Sequence, residues 1–159
     1  MFNLGIFLYL FYVLSLKLKF LKLNDLDVED KRVLVRVDFN CPVDDEGKIT
    51  DDKRIRETIP TIQYLIDNSA KIILMSHFGR PKENGYENKY SLKNVAKRLT
   101  ELLQKEVIFS KDCIGNEVEQ IVAKMRFGQI VLLENLRFHK GECVNDQRFA
   151  KSAGCFRAA

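Results

Sequence analysis

Short apolar runs alternate with longer amphipathic stretches after residue 24, and this alternation limits the possible folds more than any other feature of the chain. Four runs have the apolar, β-branched composition of buried strands: residues 32–37, 71–76, 106–109 and 129–133. The stretches between them repeat apolar side chains at helical spacing: residues 54–68, 91–103 and 117–124. We therefore predict an α/β fold, a three-layer Rossmann-like parallel sheet with helices on both faces.

Size and composition fit one domain, or one half of a larger enzyme. The chain has 159 residues, of which 46% are hydrophobic and 30% charged, a mixture typical of globular proteins. The net charge of +4 is spread along the chain, so no nucleic-acid surface is predicted. The four cysteines form no C-x-x-C pair, and only two histidines are present, which predicts reduced structural thiols, no metal site and a cytoplasmic location.

The first sixteen residues differ from the rest because they carry no charge. They are too short for a typical membrane span, which needs about 20 apolar residues. The lysines at 17, 19 and 22 follow the apolar stretch, whereas in a secretory signal basic residues precede it. Three interpretations stay open: an extension outside the fold, which we favour and for which a misplaced start is one origin, a short membrane anchor, or a packed or interface helix.

Segments rich in polar side chains follow three of the four predicted strands. The first strand is followed by Asp38, Phe39 and Asn40, the second by residues 77–81 and the fourth by residues 134–138. Because the carboxyl ends of parallel strands meet at one edge of a sheet, we expect these segments to lie close together. Ligands of open α/β sheets bind at this edge, so the segments define a candidate binding crevice.

The basic residues of this crevice indicate the charge of its ligand. Arg54, at the start of the first predicted helix, joins His77, Arg80 and Arg137. Guanidinium groups bind phosphate and carboxylate through paired hydrogen bonds and stay charged at all physiological pH values. Asp38 and Asn40 could bind a hydroxyl group or hold an arginine in place, and we expect Arg36 to support Asp38 structurally. The pattern predicts a site for a small organic phosphate.

Each of these residues alone has a more ordinary interpretation. A single arginine is more often a surface charge, and a single aspartate after a strand more often caps a turn. Their arrival at the same strand ends favours the binding site over these alternatives. The sequence contains no glycine-rich loop of the G-x-G-x-x-G or G-x-x-x-x-G-K type, so we predict no nucleotide fingerprint.

Three segments resemble the amino-terminal domain of phosphoglycerate kinase in order and spacing: RVLVRVDFNCP (32–42), ITDDKRIRETIPTIQYLIDNSAKIILMSHFGRP (49–81) and VLLENLRFHKGE (131–142). The resemblance implies part of that domain over residues 20–151, with a sheet incomplete at its C-terminal end. Residues 1–19 then form an apolar extension outside the family pattern, and residues 152–159 a divergent tail.

The resemblance implies transfer of a phosphoryl group between 1,3-bisphosphoglycerate and ADP, which gives 3-phosphoglycerate and ATP in glycolysis. The family's substrate contacts fall on these residues: Asp38, Phe39, Asn40, Arg54, His77, Phe78, Gly79, Arg80 and Arg137. The arginine that matches Arg54 is the catalytic one, which stabilises the transferring phosphoryl group. The histidine and the aspartate are not implied to act as general bases.

The resemblance also implies that part of the enzyme is missing from this sequence. In the family a second domain binds Mg-ATP or Mg-ADP, and no segment here matches that domain. We therefore expect this chain alone to bind the glycerate but not to catalyse the reaction. The family is usually monomeric and cytoplasmic, and no nucleic-acid or membrane partner is expected. The alternative hypothesis is a non-catalytic module that binds anions through the same crevice, with or without a membrane tether at its N-terminus.

Overall fold

Four parallel strands form one sheet in the order β1-β2-β4-β3. The computed structural model describes residues 21–82 and 85–154. The strands are β1 (Arg32–Arg36), β2 (Lys71–Met75), β3 (Val107–Phe109) and β4 (Ile130–Leu132). All three pairings are parallel, with Val33 opposite Ile72 and Ile72 opposite Ile130. The predicted parallel α/β sheet is confirmed, and each strand lies within its predicted run.

Helices cover both faces of the sheet. They are α1 (Lys53–Asp67), α2 (Lys93–Leu103), α3 (Asn116–Ala123), α4 (Lys140–Cys143) and α5 (Gln147–Ala153). Alternate strand residues point to opposite faces. Ile72, Leu74, Ile130 and Leu132 share one core with α1 and α2, and Ile73 and Val131 share a second core with α3 and α5. Two separate apolar cores therefore hold the three layers together.

Of the two predicted terminal segments, the structure describes only the beginning of the C-terminal one. Residues 1–19, the predicted extension, lie outside the described residues. Ser152 and Ala153, assigned to a divergent tail, are the last two residues of α5, and Ala153 is buried. Among the described residues, no helix combines the length and apolar character needed to cross a membrane.

A buried carboxylate joins the end of β4 to the start of α2. Glu134 Oε1 accepts hydrogen bonds from the backbone N–H groups of Leu92 (2.9 Å) and Asn135 (2.8 Å), and Oε2 accepts one from the Ser91 hydroxyl (2.7 Å). The Ser91 Oγ accepts a longer bond from Lys93 N–H (3.3 Å), so Glu134 binds the start of the helix more closely than Ser91 does. The negative charge of Glu134 also complements the positive end of the helix dipole.

The described cysteines form no disulfide. Cys41 and Cys113 are buried and Cys143 is exposed, whereas Cys155 lies outside the described residues. Burial raises the pKa of the Cys41 thiol to about 11 and that of Cys113 to about 12. Both groups are therefore protonated at neutral pH and pack as small apolar side chains.

We predict that Glu134→Gln destabilises the fold by about 1–3 kcal/mol, because a neutral amide oxygen accepts the two buried N–H groups more weakly than a carboxylate, and the Ser91 hydroxyl would have to accept where it now donates. Urea unfolding of the full chain measures this effect. Glu101→Gln is the matched control, since Glu101 lies on α2 with its side chain 63% exposed, and its replacement should change the free energy of unfolding by less than about 0.5 kcal/mol. Equal unfolding midpoints for the two variants would contradict the role given to Glu134.

Candidate functional site

Gly79, in the loop after β2, is held by side chains from two other strand ends. Its N–H donates to Asn40 Oδ1 at 2.8 Å, and its carbonyl accepts from Arg137 Nη1 at 2.7 Å. The residue has a φ of +59°, and a Cβ atom at this position would overlap with the ring of Tyr90. The structure therefore brings the segments after β1, β2 and β4 together, and glycine is required where they meet.

Asn135 is the buried polar residue behind this loop. Its Oδ1 accepts from Phe78 N–H (3.0 Å) and Arg137 N–H (3.1 Å), and its Nδ2 donates to the carbonyls of Phe78 (2.7 Å) and Tyr90 (3.0 Å). The side chain is fully buried, and both ends of its amide are satisfied. Asn135 thus holds the loop after β2 against the turn that carries Arg137, and it has no group left for a ligand.

Asp38 and Arg54 form an ion pair at the edge of the crevice. Asp38 Oδ1 also accepts from the N–H of Asn40 at 3.1 Å, which orients the carboxylate. About half of each side chain is exposed, and the pair lines a groove of about 410 Å³ together with residues of the first two turns of α1. Because a guanidinium has five N–H donors, Arg54 can bind Asp38 and an anion together.

The two predicted phenylalanines have buried side chains. Phe39 is 0% and Phe78 is 3% exposed, so both belong to the apolar core. The N–H of Phe39 donates to Ser76 Oγ at 3.0 Å, and both backbone groups of Phe78 bond to Asn135. In this conformation their contribution to the site is to place the neighbouring polar residues.

The prediction that Arg36 supports Asp38 is wrong. Arg36 Nη2 lies 2.9 Å from Glu142 Oε1, whereas Arg54 takes the position beside Asp38. The partner of each side chain explains the difference, since Glu142 on α4 draws Arg36 to itself while Arg54 at the start of α1 pairs with Asp38. Sequence reasoning missed Glu142, which also lies 3.9 Å from Arg137 Nε and so links two of the arginines.

His77 and Arg80 complete the predicted set. Burial lowers the pKa of His77 below its usual value, and the charge of Arg137 lowers it further. The imidazole is therefore mostly neutral at pH 7. Arg80 is exposed, and it forms no ion pair within residues 21–82 and 85–154. Its charge remains available to an anionic ligand.

We predict that Gly79→Ala destabilises the fold by about 1–3 kcal/mol, because it combines a positive φ with overlap against Tyr90. Gly85→Ala is the matched control, since a Cβ there would meet nothing within 4 Å. Urea unfolding of both variants, compared with the wild-type chain, tests the expectation. An unchanged midpoint for Gly79→Ala would show that the loop relaxes without cost.

Comparison with known proteins supports one family. The family model for phosphoglycerate kinase matches residues 23–155. The phosphoglycerate kinase of Aquifex aeolicus is 57% identical over 129 residues, which are 81% of this chain and 32% of that protein. That of Nostoc punctiforme is 58% identical over 129 residues, with the same shares of the two chains. This chain thus spans about a third of the length of these relatives.

Solved structures that resemble this fold belong to the same family as the sequence relatives. The phosphoglycerate kinase structure from Coxiella burnetii has a TM-score of 0.71 and 38% identity, and the match covers 84% of this chain and 32% of that one. The crystal structure of the enzyme from Pyrococcus horikoshii has a TM-score of 0.70 and 36% identity, over 76% of this chain and 29% of that one. Fold and sequence therefore lead to the same family.

Proposed function

Because the chain belongs to the phosphoglycerate kinase family, we propose that its crevice binds 3-phosphoglycerate or 1,3-bisphosphoglycerate. The binding serves the reversible, glycolytic transfer of a phosphoryl group between 1,3-bisphosphoglycerate and ADP. The observation that supports this most directly is the junction at Gly79, which joins Asn40 and Arg137 beside the exposed Arg80. Glycolysis also suggests a cytoplasmic location.

The charges of the crevice suit a ligand with both a phosphate and a carboxylate. Arg54 is in the first turn of α1, which follows β1, Arg137 is in the turn after β4, and His77 and Arg80 are in the loop after β2. Two acidic partners, Asp38 and Glu142, hold arginines in the free protein. Each guanidinium has N–H donors left beside its carboxylate partner, and their planar arrangement matches the oxygens of an anionic ligand.

We assign Arg54 the role of stabilising the transferring phosphoryl group. Such transfer requires little covalent chemistry from the protein and depends on positioning and charge neutralisation. The attacking carboxylate of 3-phosphoglycerate is ionised at neutral pH, so no general base is needed. ADP and ATP, with Mg²⁺, are the second substrate pair of the family, and the residues of this crevice contact the glycerate and the transferring phosphoryl group.

We predict that Arg54→Ala weakens the binding of 3-phosphoglycerate by about tenfold or more, because a charge-assisted hydrogen bond contributes about 1.5–3 kcal/mol. Calorimetric titration of the full chain measures the change. Arg56→Ala is the control, since Arg56 lies on the same helix but pairs with Asp52. Equal affinities for the two variants would remove Arg54 from the binding site.

We also predict that 3-phosphoglycerate binding takes up protons near pH 6.5 through His77. The pKa of His77 is lowered in the free protein, so the imidazole is mostly neutral there, and a nearby dianion would raise that pKa and favour the charged form. Calorimetry in buffers of different ionisation enthalpy counts these protons.

The wild-type chain should take up more protons per ligand than His77→Gln, which corrects for the titration of the phosphate itself. Arg56→Ala, whose guanidinium pairs with Asp52 in the wild type, is the control and should take up as many protons as the wild type. The same proton count for His77→Gln and the wild type would place the ligand away from His77.

A further inference from the structure

A second cluster of possible ligand atoms lies between the loop after β3 and the turn after β4. Asp112 and Cys113 follow β3, and His139 ends the 3-10 turn Leu136–Phe138 after β4. One ligand atom from each, a carboxylate oxygen, Cys113 Sγ and a nitrogen of His139, lies within 4.8 Å of the other two. We propose that these three residues form a binding site for a divalent, thiol-binding cation, for which Zn²⁺ is the best fit.

The donor set matches this metal in chemistry and in number. Zn²⁺ binds sulfur, imidazole nitrogen and carboxylate oxygen, and sites with three protein ligands leave a fourth position for water. Calcium and magnesium prefer oxygen ligands, so the thiol and the imidazole disfavour them. A thiolate and a carboxylate together would neutralise the charge of the dication. The thiol proton of Cys113 would pass to solvent when the metal binds.

Neighbouring contacts already orient two of the ligands. Asp112 Oδ1 accepts from the N–H of Cys113 (2.6 Å) and lies 2.7 Å from His139 Nε2, whereas Oδ2 makes no hydrogen bond to the described residues. The His139 ring stacks on Phe149 with its centroid 5.5 Å away. A metal on Nε2 would take the place of the hydrogen bond between Asp112 and His139, and the single proton of the neutral imidazole would then lie on Nδ1.

Exposure provides a path for the cation. Cys113 is 1% exposed at the base of the cluster, while the side chains of His139 and Asp112 are 30% and 47% exposed above it. A cation would therefore enter from the solvent side and meet the thiol last. Since His139 lies two residues after Arg137, a bound cation would tie the loop after β3 to the turn that carries a proposed substrate arginine.

Cobalt titration of the full chain tests this proposal, because Co²⁺ reports tetrahedral thiolate coordination by its absorption spectrum. We expect one equivalent of Co²⁺ to produce a thiolate-to-metal charge-transfer band that Zn²⁺ removes by displacement. Cys113→Ser should lose this band, while Cys143→Ser, which changes the exposed cysteine on α4, should keep it.

His139→Gln and Asp112→Asn change partly exposed side chains, so they keep the test decisive if Cys113→Ser fails to fold. Each should weaken Zn²⁺ binding by about 100-fold or more, since even the partners of metal ligands contribute 10- to 100-fold. A missing band in the wild type, a band that persists in Cys113→Ser or disappears in Cys143→Ser, or unchanged Zn²⁺ affinity in His139→Gln would overturn the proposal.

Discussion

The buried amide of Asn135 connects the two central strands beyond the end of their backbone pairing, and the crevice depends on this connection. Its oxygen and nitrogen bond to both backbone groups of Phe78, as a neighbouring strand would. The same amide fixes Tyr90, whose ring closes over Gly79, and orients the turn of Arg137. A single side chain therefore sets the relative positions of the polar residues on two strands.

The free crevice is organised by internal ion pairs rather than by isolated charges. Asp38 holds Arg54 near the start of α1, and Glu142 links Arg36 with Arg137. These pairs are partly exposed, so each contributes little to stability and is weakened by salt. Their value is positional: the guanidinium groups are oriented in advance, and the ligand needs to order fewer side chains on binding.

Periodicity and strand ends made most of the fold predictable from the sequence, because buried strands of a parallel sheet are continuous apolar runs. The position of the crevice, at the carboxyl ends of the strands, was predictable from the polar residues that follow each apolar run. Residue type alone could not show that Glu134 and Asn135 are consumed by structural hydrogen bonds, or that Arg36 bonds to a residue 106 positions away. Such contacts depend on side-chain direction and on long-range packing, which sequence spacing does not encode.

Gly79 also limits how this crevice can evolve. A side chain there would meet the ring of Tyr90, so natural variation cannot adjust the fit for a different anion at the centre of the loop. Selection would have to act on its two anchors, Asn40 and Arg137, or change Gly79 and Tyr90 together. A change in ligand preference is therefore expected first at these two anchors, and at the centre of the loop only through a paired substitution.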